Sequence, residues 1–196
     1  MYKYAREIKF DSLRIEPLTN DNKVLVDGFY SNNDVIDNFL KKEALTDTKV
    51  ATHLIIDSLT NDLISFFSLS ASGISINMSS QKSRESINRF NIPAIEINYF
   101  AIDKKYQHLF YDEITEKENE EYLLSDMLFE KILELILEFR KNIGFSFITL
   151  YSVPNSKNPN KPLNIYTRFN FETFEEYMEA NKKRYLEGCI PMYIKI

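Results

Sequence analysis

The sequence predicts a mixed α/β fold, with a central mixed sheet of about six to seven strands flanked by helices. Three observations predict it. Residues 92–103 (IPAIEINYFAID) read as a strand, with Ile95, Ile97, Tyr99 and Ala101 on one face and Glu96, Asn98, Phe100 and Ile102 on the other. Residues 125–142 read as a helix whose apolar stripe joins Leu128, Ile132, Leu135, Ile136 and Phe139. Residues 145–153 (FSFITLYSV) read as a strand that is apolar on both faces. Strand, helix and strand in this order make a parallel unit with a right-handed crossover.

The remaining elements follow in chain order. Residues 12–18 alternate apolar and polar side chains and predict a first strand. Residues 24–29 suit a short helical piece. Residues 33–44 (NDVIDNFLKKEA) predict a helix, capped by Asn33 or Asp34, with Val35, Ile36, Phe39 and Leu40 at helical spacing. Residues 50–57 and 62–76 predict two strands joined by a polar hairpin turn, the second with a break near Gly73. Residues 77–91 lack pattern and read as a surface excursion. The helix at 125–142 is capped by Ser125, has Asp126 at its positive end, and stops where Gly144 turns left-handed. A short helix at 162–169, strands at 171–174 and 190–196, and a helix at 175–185 complete the reading.

Composition narrows the class. A chain of 196 residues, 44% of them hydrophobic, suits one domain spanning residues 1–196 with a full core. The single cysteine, Cys189, permits no intramolecular disulfide and suits a reducing compartment. The first ten residues carry Lys3, Arg6, Glu7 and Lys9 with no apolar run behind them, so no secretory leader is expected. No stretch reaches the roughly 18 apolar residues of a membrane span. A cytoplasmic protein is expected, with no membrane partner. The net charge of −5 and the absence of a basic cluster make nucleic acid an unfavourable partner, since phosphate binding needs lysine and arginine. A homodimer is admissible. One count has a consequence for phosphate binding: of four glycines, none lies between Gly73 and Gly144.

The element order resembles the GNAT superfamily of N-acetyltransferases across roughly residues 13–196. Three segments carry the resemblance. Residues 96–103 (EINYFAID) look like the family's central strand. Residues 125–144 look like the helix that follows its cofactor loop. Residues 166–171 (YTRFNF) look like its FY-x-x-x-GF segment. The run from Asp37 to Ala44, of the form D-x-F-L-x-x-x-A, and Pro154-Asn155 after the second parallel strand are similar to the toxin-like members.

The resemblance implies an enzyme that moves an acetyl group from acetyl-CoA to a primary amine of a small molecule or protein. Glu96 would be the base that takes the amine's proton, and Tyr166 the acid that protonates the departing thiolate. Backbone N–H groups of Phe100, Ala101 and Ile102 would bind the acetyl carbonyl and the pantetheine arm, where the two parallel strands splay. Asn155 or Asn164 would hydrogen-bond that arm. Gln107 opens the family's pyrophosphate loop (Gln/Arg-x-x-Gly-x-Gly/Ala), and Ser125 and Asp126 begin the helix whose N-terminus completes it.

This chain departs from that pattern. Phe110 and Asp112 stand where the loop's glycines are expected, and an acidic insertion, residues 104–122, carries Asp112, Glu113, Glu116, Glu118, Glu120 and Glu121. Carboxylates beside a pyrophosphate are repulsive. A second reading follows, a GNAT-fold protein that has lost catalysis and binds a macromolecule. A third is a toxin that acetylates aminoacyl-tRNA, which the acidic balance opposes. His53, inside an apolar strand, and Cys189 read as structural. His53, His108 and Cys189 are too scattered to form a metal site.

Overall fold

A computed structural model describes residues 8, 10–78, 88–109, 123–155, 157–180 and 188–196. A 3₁₀ turn at Phe10–Ser12 leads into β1 (Leu13–Pro17). Next come α1 (Val24–Asp27), α2 (Asp34–Asn38) with a π-helical turn at Phe39–Glu43, β2 (Ala51–Asp57), β3 (Leu63–Met78) and β4 (Asn88–Ile102). A 3₁₀ turn at Lys104–Tyr106 precedes α3 (Leu124–Arg140) and β5 (Phe147–Ser152). Then follow β6 (Pro154–Asn155), β7 (Asn158–Pro162), α4 (Asn164–Arg168), β8 (Glu172–Thr173), β9 (Met178–Ala180) and β10 (Ile190–Lys195).

Among the described residues the large sheet has eight strands, ordered β1-β2-β3-β4-β5-β10-β8 with β9 beside β3, and β6 and β7 form a separate hairpin. The β4–β5 pairing is parallel, and β1–β2, β2–β3, β3–β9, β5–β10 and β10–β8 are antiparallel. The mixed α/β expectation holds. No described helix is long and apolar enough to cross a membrane.

The chain divides into two compact units. The first holds Met1–Leu69 and Tyr99–Leu137. Its core joins Val26, Phe29, Phe39, Leu40, Leu54, Ile56, Phe66 and Ala101. The alternation read from the sequence positions its layers. Tyr99 stacks on Phe39 at 4.0 Å between centroids, whereas the next residue, Phe100, meets Phe129 of α3 at 5.6 Å. Successive strand residues face opposite ways, so α2 and α3 cover opposite sides of β4 here. Asn33 caps α2 as expected, its Oδ1 accepting from the N–H groups of Val35 and Ile36.

The second unit holds Ser70–Asn98 and Glu138–Ile196. Ile74, Ala94, Phe147 and Tyr193 form its core, with Phe174 and Met178 packed against them. That packing explains one correction. Residues 178–180 of the expected helix at 175–185 form β9, because Met178 registers with Ile76 and adds its side chain to this core. Tertiary burial outweighs a weak local helical preference there. Residues 181–187 lie outside the described residues.

Other corrections concern boundaries. β3 runs unbroken through Gly73, and β4 begins at Asn88, not Ile92. Gly144 does not adopt a positive φ. α3 instead closes with bonds from Asn142 N–H and Ile143 N–H to Phe139 C=O. Ser125 lies inside α3, one residue after its start at Leu124, so it is not the cap. Most of the acidic insertion, residues 110–122, lies outside the described residues.

Candidate active site

Glu96 is 1% exposed, in the middle of β4. Its Oε1 accepts from Asn98 Nδ2 at 2.6 Å, and its Oε2 accepts from Ser72 Oγ at 3.0 Å. The strand's period of two brings Asn98 to the same face, while Ser72 reaches it from β3. A carboxylate buried this deeply costs several kcal/mol unless donors meet it, so both contacts stabilise its place. Thr149 of β5 is registered directly with Glu96, and its buried Oγ1 has no hydrogen-bond partner. Sequence reading named Glu96 and missed its donors. The alternation of β4 pointed to Asn98, but nothing local in the sequence pairs Ser72 with Glu96.

The parallel ladder runs from Ala94↔Phe147 to Ile97↔Leu150 and ends there. β4 itself continues to Ile102. Phe100, Ala101 and Ile102 therefore lie beyond the last β5 pair on the same strand. Backbone that has left a ladder is what a ligand's carbonyl and amide groups need as partners.

Tyr166 is carried by α4. Burial pushes its phenol up to about 12, with a smaller contribution from the nearby Cys189, so the hydroxyl keeps its proton at neutral pH. Its ring meets Phe171 edge-on at 6.4 Å, and the Phe171 N–H donates to Tyr166 C=O. Asn170, which stands at the glycine position of the resembled segment, has φ 60°. Asparagine is among the few L-residues that enter this left-handed region at low cost.

Ser152, 0% exposed at the end of β5, accepts from the Leu163 N–H at 2.9 Å with its Oγ, which itself donates to Val153 C=O. Leu163 is the residue before α4. Glu96, through its register neighbour Thr149, and Tyr166, through Ser152, are thus both referred to β5. Asn155 pairs with Asn158 in the β6–β7 hairpin, and Asn164 is the exposed first residue of α4.

Gln107, Ser125 and Asp126 lie in the first unit with Phe100, Ala101 and Ile102, whereas Glu96, Asn155 and Tyr166 lie in the second. Gln107 Nε2 donates to Ser31 C=O at 2.8 Å and to Ile102 C=O at 2.9 Å, which ties the end of β4 to the segment before α2. Asp126, 2% exposed, accepts from the Leu123 N–H at 2.8 Å. This is the backward half of a capping box, with Leu123 as N-cap and Asp126 three residues on. Ser125 is half-buried beside it. Gln107 and Asp126 spend their side chains on the fold, and Asp126 places an acidic group at the helix N-terminus.

His53 stacks on Phe67 at 5.1 Å, and burial lowers its pKa. Burial raises the Cys189 thiol. No His, Cys, Asp and Glu group suited to a metal occurs among the described residues.

No protein-family model and no curated sequence matches the chain. Solved structures do. AtaTR bound with acetyl-CoA is 14% identical with a TM-score of 0.62, covering 94% of each chain. The fold is that of the GNAT acetyltransferases. A tyrosine-to-phenylalanine mutant of KacT is 16% identical with a TM-score of 0.60, covering 94% of this chain and 95% of that one. AtaT complexed with an acetyl-methionyl-tRNA is 14% identical with a TM-score of 0.58, covering 93% and 94%. The toxin-like branch of the resemblance is the one these neighbours represent.

Proposed function

We propose that this protein is an acetyl-CoA-dependent N-acetyltransferase acting on a primary amine. The observation that carries the reading is Glu96, a buried carboxylate with both oxygens met by neutral donors, on the strand whose parallel ladder ends one residue later. Acetyl-CoA would supply the acetyl thioester, held at Phe100, Ala101 and Ile102. Glu96 takes the proton from the acceptor nitrogen, directly or through water. Tyr166 Oη gives its proton to the departing sulfur, a role that suits a phenol that stays protonated at neutral pH. Acetyl-CoA in a structural neighbour supports the cofactor. The amine acceptors to assay are small polyamines, peptides and aminoacyl-tRNA, the last because one neighbour holds an acetylated aminoacyl-tRNA.

Two measurements test this. Calorimetric titration with acetyl-CoA should give saturable heat, and radiolabelled acetyl should pass to one of these amines. No heat and no thermal shift at millimolar acetyl-CoA would remove the reading.

A second reading has its own observation. Gln107 and Asp126, which the resemblance expects beside the pyrophosphate, are engaged within the fold. A protein that keeps the fold, binds a macromolecule and has lost catalysis accounts for that. Acetyl transfer above the uncatalysed rate excludes it.

A further inference from the structure

The polypeptide between β5 and α4 makes an excursion, the β6–β7 hairpin, that contains Pro154, Pro159 and Pro162. Residues 157–160 of it are exposed, and an exposed hairpin is a loose tether for the helix that follows it. α4 has only five residues and no side-chain cap at its N-terminus. An isolated helix that short has no stability of its own. Contacts at either end help to hold it in place.

At the rear, the Phe171 N–H donates to Tyr166 C=O, and Phe171 is buried. At the front the contact is Ser152. Its Oγ accepts from the Leu163 N–H across eleven residues of sequence, and its own proton is committed to Val153 C=O. The bond closes the base of the hairpin and holds the start of α4 to the end of β5. The Ser152 side chain is fully buried, and truncating it takes this acceptor from the N–H of Leu163, a residue that is itself 37% exposed.

We infer that Ser152 is a positioning residue for Tyr166, fixing the helix that aims the phenol. This rests on the reading of Tyr166 as the acid. Ser152 touches no reacting atom. It acts by holding the start of α4 to the end of β5, the strand that also registers with Glu96. Small displacements of a proton donor are expensive, with about 1 Å costing on the order of 100-fold.

The test is a double-mutant comparison in the acetyl-transfer assay. Ser152→Ala should lower kcat about 10- to 100-fold with KM for acetyl-CoA nearly unchanged, and Ser152→Thr, which keeps the acceptor oxygen, should restore most of it. In a Tyr166→Phe background, Ser152→Ala should cost little more, because the group it positions is gone. A full, additive loss in that background overturns the inference and leaves Tyr166 standing. A Tyr166→Phe protein of unchanged kcat overturns both. Should Ser152→Ala not fold, as judged by thermal melting, Ser152→Cys carries the same comparison.

Discussion

Asn98 donates its side-chain amide to Glu96 Oε1 at 2.6 Å from the next same-face position of β4. Glu96→Gln preserves the shape, because Gln can still accept from Asn98 and can donate to Ser72. Its fold should survive while turnover drops by about 10²- to 10⁴-fold, the usual cost of removing a base. Turnover within threefold of the parent protein would show that Glu96 is structural. Asn98→Leu removes one of the two donors and should cost about 1–3 kcal/mol in urea unfolding. The double variant with Glu96→Gln should cost less than the two single losses added together.

Tyr166 gives a pH signature. Its phenol is pushed up to about 12, above the ordinary 10, because burial disfavours the phenolate. The acid form therefore persists through pH 10. The kcat profile should show no alkaline fall with a midpoint near 10, and Tyr166→Phe should lower kcat at every pH. A fall centred at pH 10 that Tyr166→Phe abolishes would mean that the phenol titrates normally.

Asn170 tests the backbone. At φ 60° a β-branched residue is strained, so Asn170→Val should destabilise by about 1–3 kcal/mol, whereas Asn170→Gly should stay within about 1 kcal/mol of the parent. Thermal melting of the two variants distinguishes them. Equal melting temperatures would mean that the turn relaxes freely.

The same residue shows why some of this molecule is legible in its sequence. Asn170 substitutes for glycine without losing the left-handed turn, so the segment keeps its pattern. The alternation of β4 likewise carries its own faces, and the Tyr99–Phe39 and Phe100–Phe129 contacts follow from it. Partners from distant strands are not legible. Nothing local marks Ser72 as the donor to Glu96, or Ser152 as the acceptor for Leu163. β9 was misread because its strand state comes from pairing with β3, a contact made across a hundred residues. Asp126, in the first turn of its helix, is expected from the resemblance beside the cofactor, and the same position suits a cap.

Tyr193 provides a stability test. Burial and its hydrogen bond to Glu172 raise its phenol to about 12. The unfolded chain releases that proton near 10, the folded chain near 12. The stabilisation is complete below pH 10 and is lost as pH climbs through 12. Tyr193→Phe should therefore flatten part of the decline in urea midpoint between pH 10 and 12. A parallel decline in both proteins would assign the alkaline loss to other groups.

Asp126 tests whether a diphosphate approaches the start of α3. The Asp126 carboxylate sits on the Leu123 N–H at the start of α3, where the positive end of the helix dipole would otherwise be open to an anion. Asp126→Asn keeps an acceptor for that N–H and removes the charge. If the diphosphate approaches this helix, the dissociation constant for acetyl-CoA should fall by about three- to tenfold at low salt, and the gain should shrink as salt screens it. Gln107→Ala is the control. It frees two carbonyl groups and should lower the unfolding free energy measured in urea by about 1–2 kcal/mol, with the same affinity for acetyl-CoA. An affinity that Asp126→Asn leaves unchanged at every salt concentration would place the diphosphate away from α3, held by other donors.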